Sequence, residues 1–363
     1  MNRNIIMRLV VLCLALVVVA TLIGACGKET TTPTTTQPAA PAATTTALAP
    51  AKTIEIKYAT FESEAHYRIP VMNWFAQELD KRTAGKTKTT VFVGGALGGA
   101  FDIMDNIQNG VADMGYVYMG LVAGHNPIFD IVDMPLLIAE PGAAQAVAWE
   151  LYNRGYLNVE GTKTLQYAGM EPLKFYTSKK KVTTVEDFKG LVIHVGAAHM
   201  PFCNILGISG VELNHPDIYS SVEKGVVDGG IAGIGLPKAM QMEGIIKYIL
   251  WNEFGGAGAH PCLINLNKWN SLPADVQVVM LELSRETDSK LTEAAYKEIQ
   301  ACYDYFTAAG VEIYTLSPEE WSKVLAMTAS LPSEWAKEMD AKGAPGSEAM
   351  KIVEQYLGAL GVK

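Results

Sequence analysis

The chain has 363 residues, 49% hydrophobic and only 18% charged, with a mean hydropathy of +0.14. Its one uncharged apolar run near membrane length, Leu9 to Ala25, lies at the extreme N-terminus, which argues against a polytopic membrane protein, and the apolar content argues against a disordered chain. A formal charge of −9 with no stripe of lysine or arginine argues against a nucleic-acid binder.

The first 25 residues read as a secretory signal. Arg3 and Arg8 form the basic start, Leu9 to Ile23 the apolar stretch, and Gly24-Ala25 the small-residue cleavage site. Ile23-Gly24-Ala25-Cys26 resembles the lipobox of bacterial lipoproteins, which implies lipid on Cys26 and a membrane anchor there. Residues 26–52 read as a tether. Thr30 to Pro50 contains only Thr, Pro, Ala, Gln and Leu, a composition that cannot form a core but suits a spacer. Extended, that stretch reaches about 60 Å at ~3.1 Å per residue. Removal of Arg3 and Arg8 with the signal leaves a charge of about −11.

Residues 53–363 alternate strand-like and helical patterns, which predicts an α/β body. Ile54, Ile56 and Tyr58 alternate with polar residues and predict a strand. Met72, Phe75, Ala76 and Leu79 fall at helical spacing, with Gly85 as a stop. Val91-Phe92-Val93 predicts a second strand, followed by a glycine-rich turn and a helix through Phe101, Met104 and Ile107.

Gly110-Val111-Ala112-Asp113 and Gly225-Val226-Val227-Asp228 repeat one pattern at a distance, which suggests two lobes of similar build. Between Pro273 and Gly310 there is no glycine or proline, and Val276, Val279, Met280, Leu283, Leu291, Ala295, Ile299, Cys302 and Phe306 keep helical spacing. Such a helix is roughly 50 Å long at 1.5 Å per residue and predicts a spine across both lobes. Cys203, Cys262 and Cys302 are too widely spaced for a metal motif and read as buried free thiols.

No catalytic constellation emerges. Gly85-Lys86-Thr87 has Asp80 where a P-loop needs its first glycine. Gly94-Gly95-Ala96-Leu97-Gly98-Gly99 lacks dinucleotide spacing. Gly207-Ile208-Ser209-Gly210 meets Val211 where a nucleophile elbow needs glycine. His194 and His199 are five apart, and no His-Glu-x-x-His occurs, so a zinc hydrolase has no support. A two-lobed, exported body without catalytic groups reads as a receptor, with neither cofactor nor metal.

From Thr53 to about Gly310 the chain resembles the extracytoplasmic solute-binding proteins of TRAP transporters (tripartite ATP-independent periplasmic transporters). Three segments carry the likeness in order: Asp187-Phe188-Lys189-Gly190-Leu191-Val192-Ile193-His194-Val195; Asp217-Ile218-Tyr219 leading into Gly225-Val226-Val227-Asp228-Gly229; and Asn267-Lys268-Trp269-Asn270-Ser271-Leu272-Pro273. The resemblance implies an α/β, two-lobed periplasmic-binding-protein-like fold with a ligand cleft between the lobes and a long helix spanning both. The expected lobes are 53–170 plus 256–290, and 171–255 plus 291–363. It also implies capture of a small organic acid by lobe closure, delivery to the membrane subunits of a TRAP permease, and no enzyme activity.

The family commonly anchors the carboxylate with an arginine in the segment that here ends at His194; this chain has no arginine there. A second cation about twenty residues earlier corresponds to Lys174, and an asparagine common after the Val-Asp-Gly turn is Ala232 here. Three readings follow. The ligand is a monocarboxylate held by Lys174 with His194 assisting. Alternatively, it is a neutral or amphipathic molecule packed by aromatic side chains. The third, a metal complex, finds no supporting carboxylate cluster.

The resemblance places ligand contacts at Phe61 and Tyr118. His66 and Tyr67 after the first strand, Asn214 and His215 before Asp217, and Phe254 at the return crossing lie on loops expected to face the cleft. The expectation is therefore an extracytoplasmic, lipid-anchored receptor for a monocarboxylate with an apolar or aromatic body.

Overall fold

The computed structural model describes residues 53–121 and 125–361, apart from the side chains of Leu121, His215 and Pro216. The expected signal (1–25), tether (26–52) and lipidation at Cys26 lie outside the described residues. No helix among the described residues is long and apolar enough to cross a membrane.

Eleven strands are present among the described residues. The first four are β1 (Ile54–Ala59), β2 (Thr87–Phe92), β3 (Met114–Tyr116) and β4 (Thr162–Gly169). Then come β5 (Leu173–Thr177), β6 (Val192–His194), β7 (Ser209–Val211) and β8 (Gly229–Gly233). The last are β9 (Tyr248–Leu250), β10 (Ala259–Asn265) and β11 (Glu312–Tyr314). They form two sheets, ordered β2-β1-β3-β10-β4 and β11-β9-β5-β8-β6-β7. Each sheet anchors one lobe.

The alternation in β1 buries Ile56 and Tyr58 and exposes Glu55 and Lys57, as a half-buried strand requires. Helix α1 (Ile69–Arg82) turns Ile69, Met72, Phe75, Ala76 and Leu79 inward. Met72, Phe75 and Leu79 are fully buried, each stabilising the lobe by roughly 1.5–3 kcal/mol. The chain leaves α1 through Ala84 and Gly85, both in the left-handed region, so glycine is the natural stop at the second position.

The repeated Gly-Val-x-Asp pattern has one physical explanation in both lobes. Gly110 and Gly225 adopt φ of +75° and +72° after short helices. Asp113 then donates its backbone N–H to the Lys57 carbonyl at 3.0 Å and accepts the Lys57 N–H on Oδ2 at 2.7 Å. Asp228 does the same with Val192, at 2.6 Å and 2.9 Å. Each aspartate thus closes the entry of a strand onto its neighbour.

The long helix is α3 (Ala274–Ala308), following α2 (Pro141–Asn153) in the first lobe. At 35 residues it is about 50 Å long. Val276, Met280, Leu283 and Leu291 join the core against α1, and Cys302 and Phe306 join the core of the second lobe with Tyr176 and Ile249. It is the expected spine.

The C-terminus departs from the expected second-lobe span of 291–363. Helix α4 (Pro318–Thr328) packs with the second lobe through Val324. However, α5 (Leu331–Ala341) and α6 (Gly346–Leu360) place Met339, Met350, Val353 and Leu357 in the first-lobe core with Ala144, Val147 and Leu151 of α2. Their apolar faces complete the cover that α2 alone leaves open.

Two short segments carry the chain between sheets, Met170–Pro172 after β4 and residues 251–258 after β9. They bond to each other, Met170 N–H to the Ala257 carbonyl at 2.7 Å and Leu173 N–H to the Gly255 carbonyl at 2.9 Å. Gly255 has φ of +70°, and a Cβ there would collide with the Leu136 backbone, so only glycine fits.

Candidate functional site

A cavity of about 630 Å³ opens at these crossings and draws its lining from both lobes. That volume lies within the range of small-molecule sites. The first lobe contributes Phe61, Glu62, Ser63, His66 and Tyr118, the crossings Met170, Glu171 and Gly256, and the second lobe His194, His199 and the 212–214 loop. Ala232, where the resemblance expects asparagine, also lines it.

The loop after β1 is organised by a buried ion pair. Arg68 is almost completely buried, pairs with Glu62 through Nη2, and lies 5.1 Å from the Tyr116 ring centre. Glu62 also accepts from Thr60 Oγ1 at 3.3 Å, and the Thr60 hydroxyl caps the Glu62 N–H. His66 accepts the Arg68 N–H on Nδ1 at 3.3 Å and stacks on Tyr67 at 4.5 Å. Burial pulls the His66 pKa below its ordinary value, with Glu171 opposing, which agrees with a neutral ring despite Glu62 Oε2 at 3.4 Å.

Tyr118 stacks on His260 at 3.6 Å and meets Phe61 edge-on at 6.1 Å. Burial and the nearby Arg68 hold His260 well below its ordinary pKa, so a neutral ring backs Tyr118, which lines the cavity. On the opposite side, His194 ends β6, where it faces Val211 of β7 and Gly230 of β8. His199 donates from Nε2 to the Asp133 carbonyl at 2.9 Å, and burial lowers its pKa. The Asp133 carboxyl is pushed up to about 7 by burial, with Asp130 adding.

Glu171 is the acidic group at the crossing. It is 4% exposed, accepts from the Tyr67 hydroxyl on Oε2 at 2.9 Å, and accepts from Gly235 N–H on Oε1 at 3.1 Å. A Cβ at Gly233 would sit 3.2 Å from Oε1, and one at Gly235 would overlap it. Glycine at both positions lets the carboxylate lie against the backbone.

Of the expected site residues, Phe61, His66, Tyr118, His194 and Asn214 line the cavity. Lys174 is not among the lining residues. Its ammonium is buried against Glu253 Oε1 at 2.9 Å and the Trp251 carbonyl at 3.2 Å, because its neighbour Leu173 takes the cavity side of β5. Tyr67 does not line the cavity itself but touches its lining residues Glu171, Met170 and His66, and it borders an adjoining space of about 220 Å³. Phe254 is fully buried between Phe202 and Trp321 as core. His215 begins the helix His215–Glu223, and its side chain lies outside the described residues.

Sequence reasoning missed Glu62, Arg68, Glu171, His199 and His260. A lone acid between two strand-like runs, in Gly169-Met170-Glu171-Pro172, was the available signal for Glu171. Cys203, Cys262 and Cys302 are buried free thiols, as expected. Among the described residues no group of three or more His, Cys, Asp or Glu is placed to hold a metal ion.

The sequence model of the bacterial extracellular solute-binding protein family 7 matches residues 58–338. The chain is 22% identical over 325 residues to the 2,3-diketo-L-gulonate-binding periplasmic protein of Escherichia coli, covering 86% of this chain and 95% of that protein. It is 23% identical over 310 residues to a solute-binding protein of Albidiferax ferrireducens, covering 81% and 88% respectively. A TRAP solute-binding protein from Rhodoferax ferrireducens, in complex with copurified benzoate, shares the fold with a TM-score of 0.78 at 19% identity, over 85% of this chain and 98% of that one. The chain belongs to the bacterial extracellular solute-binding protein family 7, the extracytoplasmic solute receptors of TRAP transporters, and is a binding protein, not an enzyme.

Proposed function

We propose that the protein captures a small organic acid with an apolar or aromatic body between its lobes and presents it to the membrane subunits of a TRAP permease. The observation that carries this reading is the cavity itself, which takes its walls from both lobes and its floor from the two crossing segments. Closure about those crossings would bury the solute. The related proteins that bind benzoate and diketogulonate support an organic acid.

Phe61 and Tyr118 would pack the apolar body, and His194 and Asn214 would meet the carboxylate. Lys174 receives no ligand role here, since its ammonium is committed to Glu253. A histidine ring presents at most two N–H donors pointing in different directions, in place of arginine's fork of five aimed at a carboxylate. Anchoring by histidine is therefore weaker, and the apolar wall carries more of the affinity. In the cell, a lipid on Cys26 and the 26–52 tether would hold this body near the membrane.

A second reading, a neutral or amphipathic solute, is favoured by one observation: among the described residues no lysine or arginine lines the cavity. Calorimetric titration of matched acids and amides, benzoate against benzamide and 3-phenylpropionate against its amide, separates the two. The proposal expects the acids to bind and Tyr118→Ala to weaken them. Preferential binding of the amides contradicts it.

A further inference from the structure

The geometry points to a nitrogen on the solute: Glu171 is placed to accept from a protonated or N–H-bearing nitrogen, so the acid captured here is amphoteric, of the amino-acid type. This inference rests on the organic-acid reading and narrows it.

A carboxylate offers about four lone-pair positions. Tyr67 and Gly235 each use one, on different oxygens, and Glu171 meets the cavity with its remaining capacity while nearly all of the residue is buried. An ionised carboxylate removed from water without a counter-charge is costly. Of the cations of this region, Lys174 is committed to Glu253 and Lys238 to Glu298, while Arg68 pairs with Glu62 and reaches Glu171 only through its electrostatic field. Among the described residues Glu171 has no ion pair within 4 Å.

The lining therefore carries Glu62, already paired, together with Glu171 and Glu212, against no lysine or arginine. A plain carboxylate brings a further negative charge to that setting and offers Glu171 no donor. A solute that also carries an ammonium or ring N–H meets Glu171 directly and offsets the charge. The two glycines that let Glu171 lie against the end of β8 hold its carboxylate in place for that contact.

The test equilibrates the purified protein with a mixture of matched pairs, L-phenylalanine with 3-phenylpropionate and L-proline with cyclopentanecarboxylate, plus benzamide and phenylacetamide. Retained species are released and identified by mass spectrometry, and their affinities measured on wild type and Glu171→Gln. The expected result is retention of a nitrogen-bearing acid, at least about tenfold tighter than its carbon counterpart, with Glu171→Gln bringing the pair within about threefold. Tyr67→Phe removes only a hydroxyl and should reduce the same preference, which covers a Glu171→Gln protein that fails to fold.

Carbon acids retained as tightly as their nitrogen partners, or a preference unmoved by Glu171→Gln, overturn this inference and leave the organic-acid reading standing. Retention of the amides alone overturns both. Retention of nothing in the mixture counts against both as well.

Discussion

The Lys174 Nζ lies 2.9 Å from Glu253 Oε1 and 4.8 Å from the centre of the Trp251 ring, with the Trp251 carbonyl at 3.2 Å. This arrangement ties β5 to the crossing segment after β9 and accounts for a buried lysine that serves no cavity. Burial pulls the Lys174 pKa down, and Glu253 opposes that shift.

Lys174→Met should therefore reduce stability and spare binding. Loss of the pair and of the ring contact should cost about 1–3 kcal/mol in urea denaturation. Solute affinity should stay within about threefold of wild type. A tenfold loss of affinity in a folded variant would restore Lys174 as an anchor.

The paired aspartates should be equivalent in kind. Asp228→Ala leaves the Val192 N–H without its acceptor, and Asp113→Ala does the same to Lys57. Each should cost about 1–3 kcal/mol, the penalty of an orphaned donor, with the larger cost at the less exposed Val192. Denaturant midpoints of the two variants check this, and no change in either would contradict the account of the repeat.

Acid dependence follows from Asp133. Its folded-state pKa of about 7 lies above the ordinary carboxylate value, so the folded state holds a proton that the unfolded chain has released. Its contribution is full below the unfolded pKa near 4 and is lost as pH rises through about 7. Asp288, also pushed up to about 7 by burial, acts in the same direction. His66, His199 and His260, with lowered values, act oppositely below about 6.5. Comparing melting temperatures of wild type and Asp133→Asn from pH 4.5 to 7.5 isolates the aspartate. The variant should gain on wild type as pH rises, by no more than about 1.4 kcal/mol per pH unit.

Gly235→Ala should disturb the site, because its Cβ would overlap Glu171 Oε1 and displace the carboxylate. Solute affinity should fall by about tenfold. Gly244→Ala, which meets nothing within 4 Å, is the control and should leave affinity unchanged.

The parts of the fold that local periodicity dictates were legible. Ile54-Ile56-Tyr58, the α1 face and the glycine-free run before Gly310 each state their element in spacing alone, and the cavity residues Phe61 and Tyr118 follow strand ends. What was not legible depends on pairing between distant segments. Nothing near Lys174 announces that Glu253 will stand beside it until β5 pairs with β9, although alternation from Leu173 was a usable hint. Glu171 acquires its setting only when Gly235 and Tyr67 arrive from opposite lobes. The return of α5 and α6 to the first lobe is likewise a tertiary decision, made by exposed apolar surface on α2.

The most direct test of the receptor reading is to denature the purified protein and identify by mass spectrometry what it carried. The account predicts a small carboxylic acid, sized for a cavity of about 630 Å³, recovered from wild type and lost from a folded Phe61→Ala/Tyr118→Ala variant. A bound molecule without a carboxyl group, or one retained equally by that variant, would contradict it.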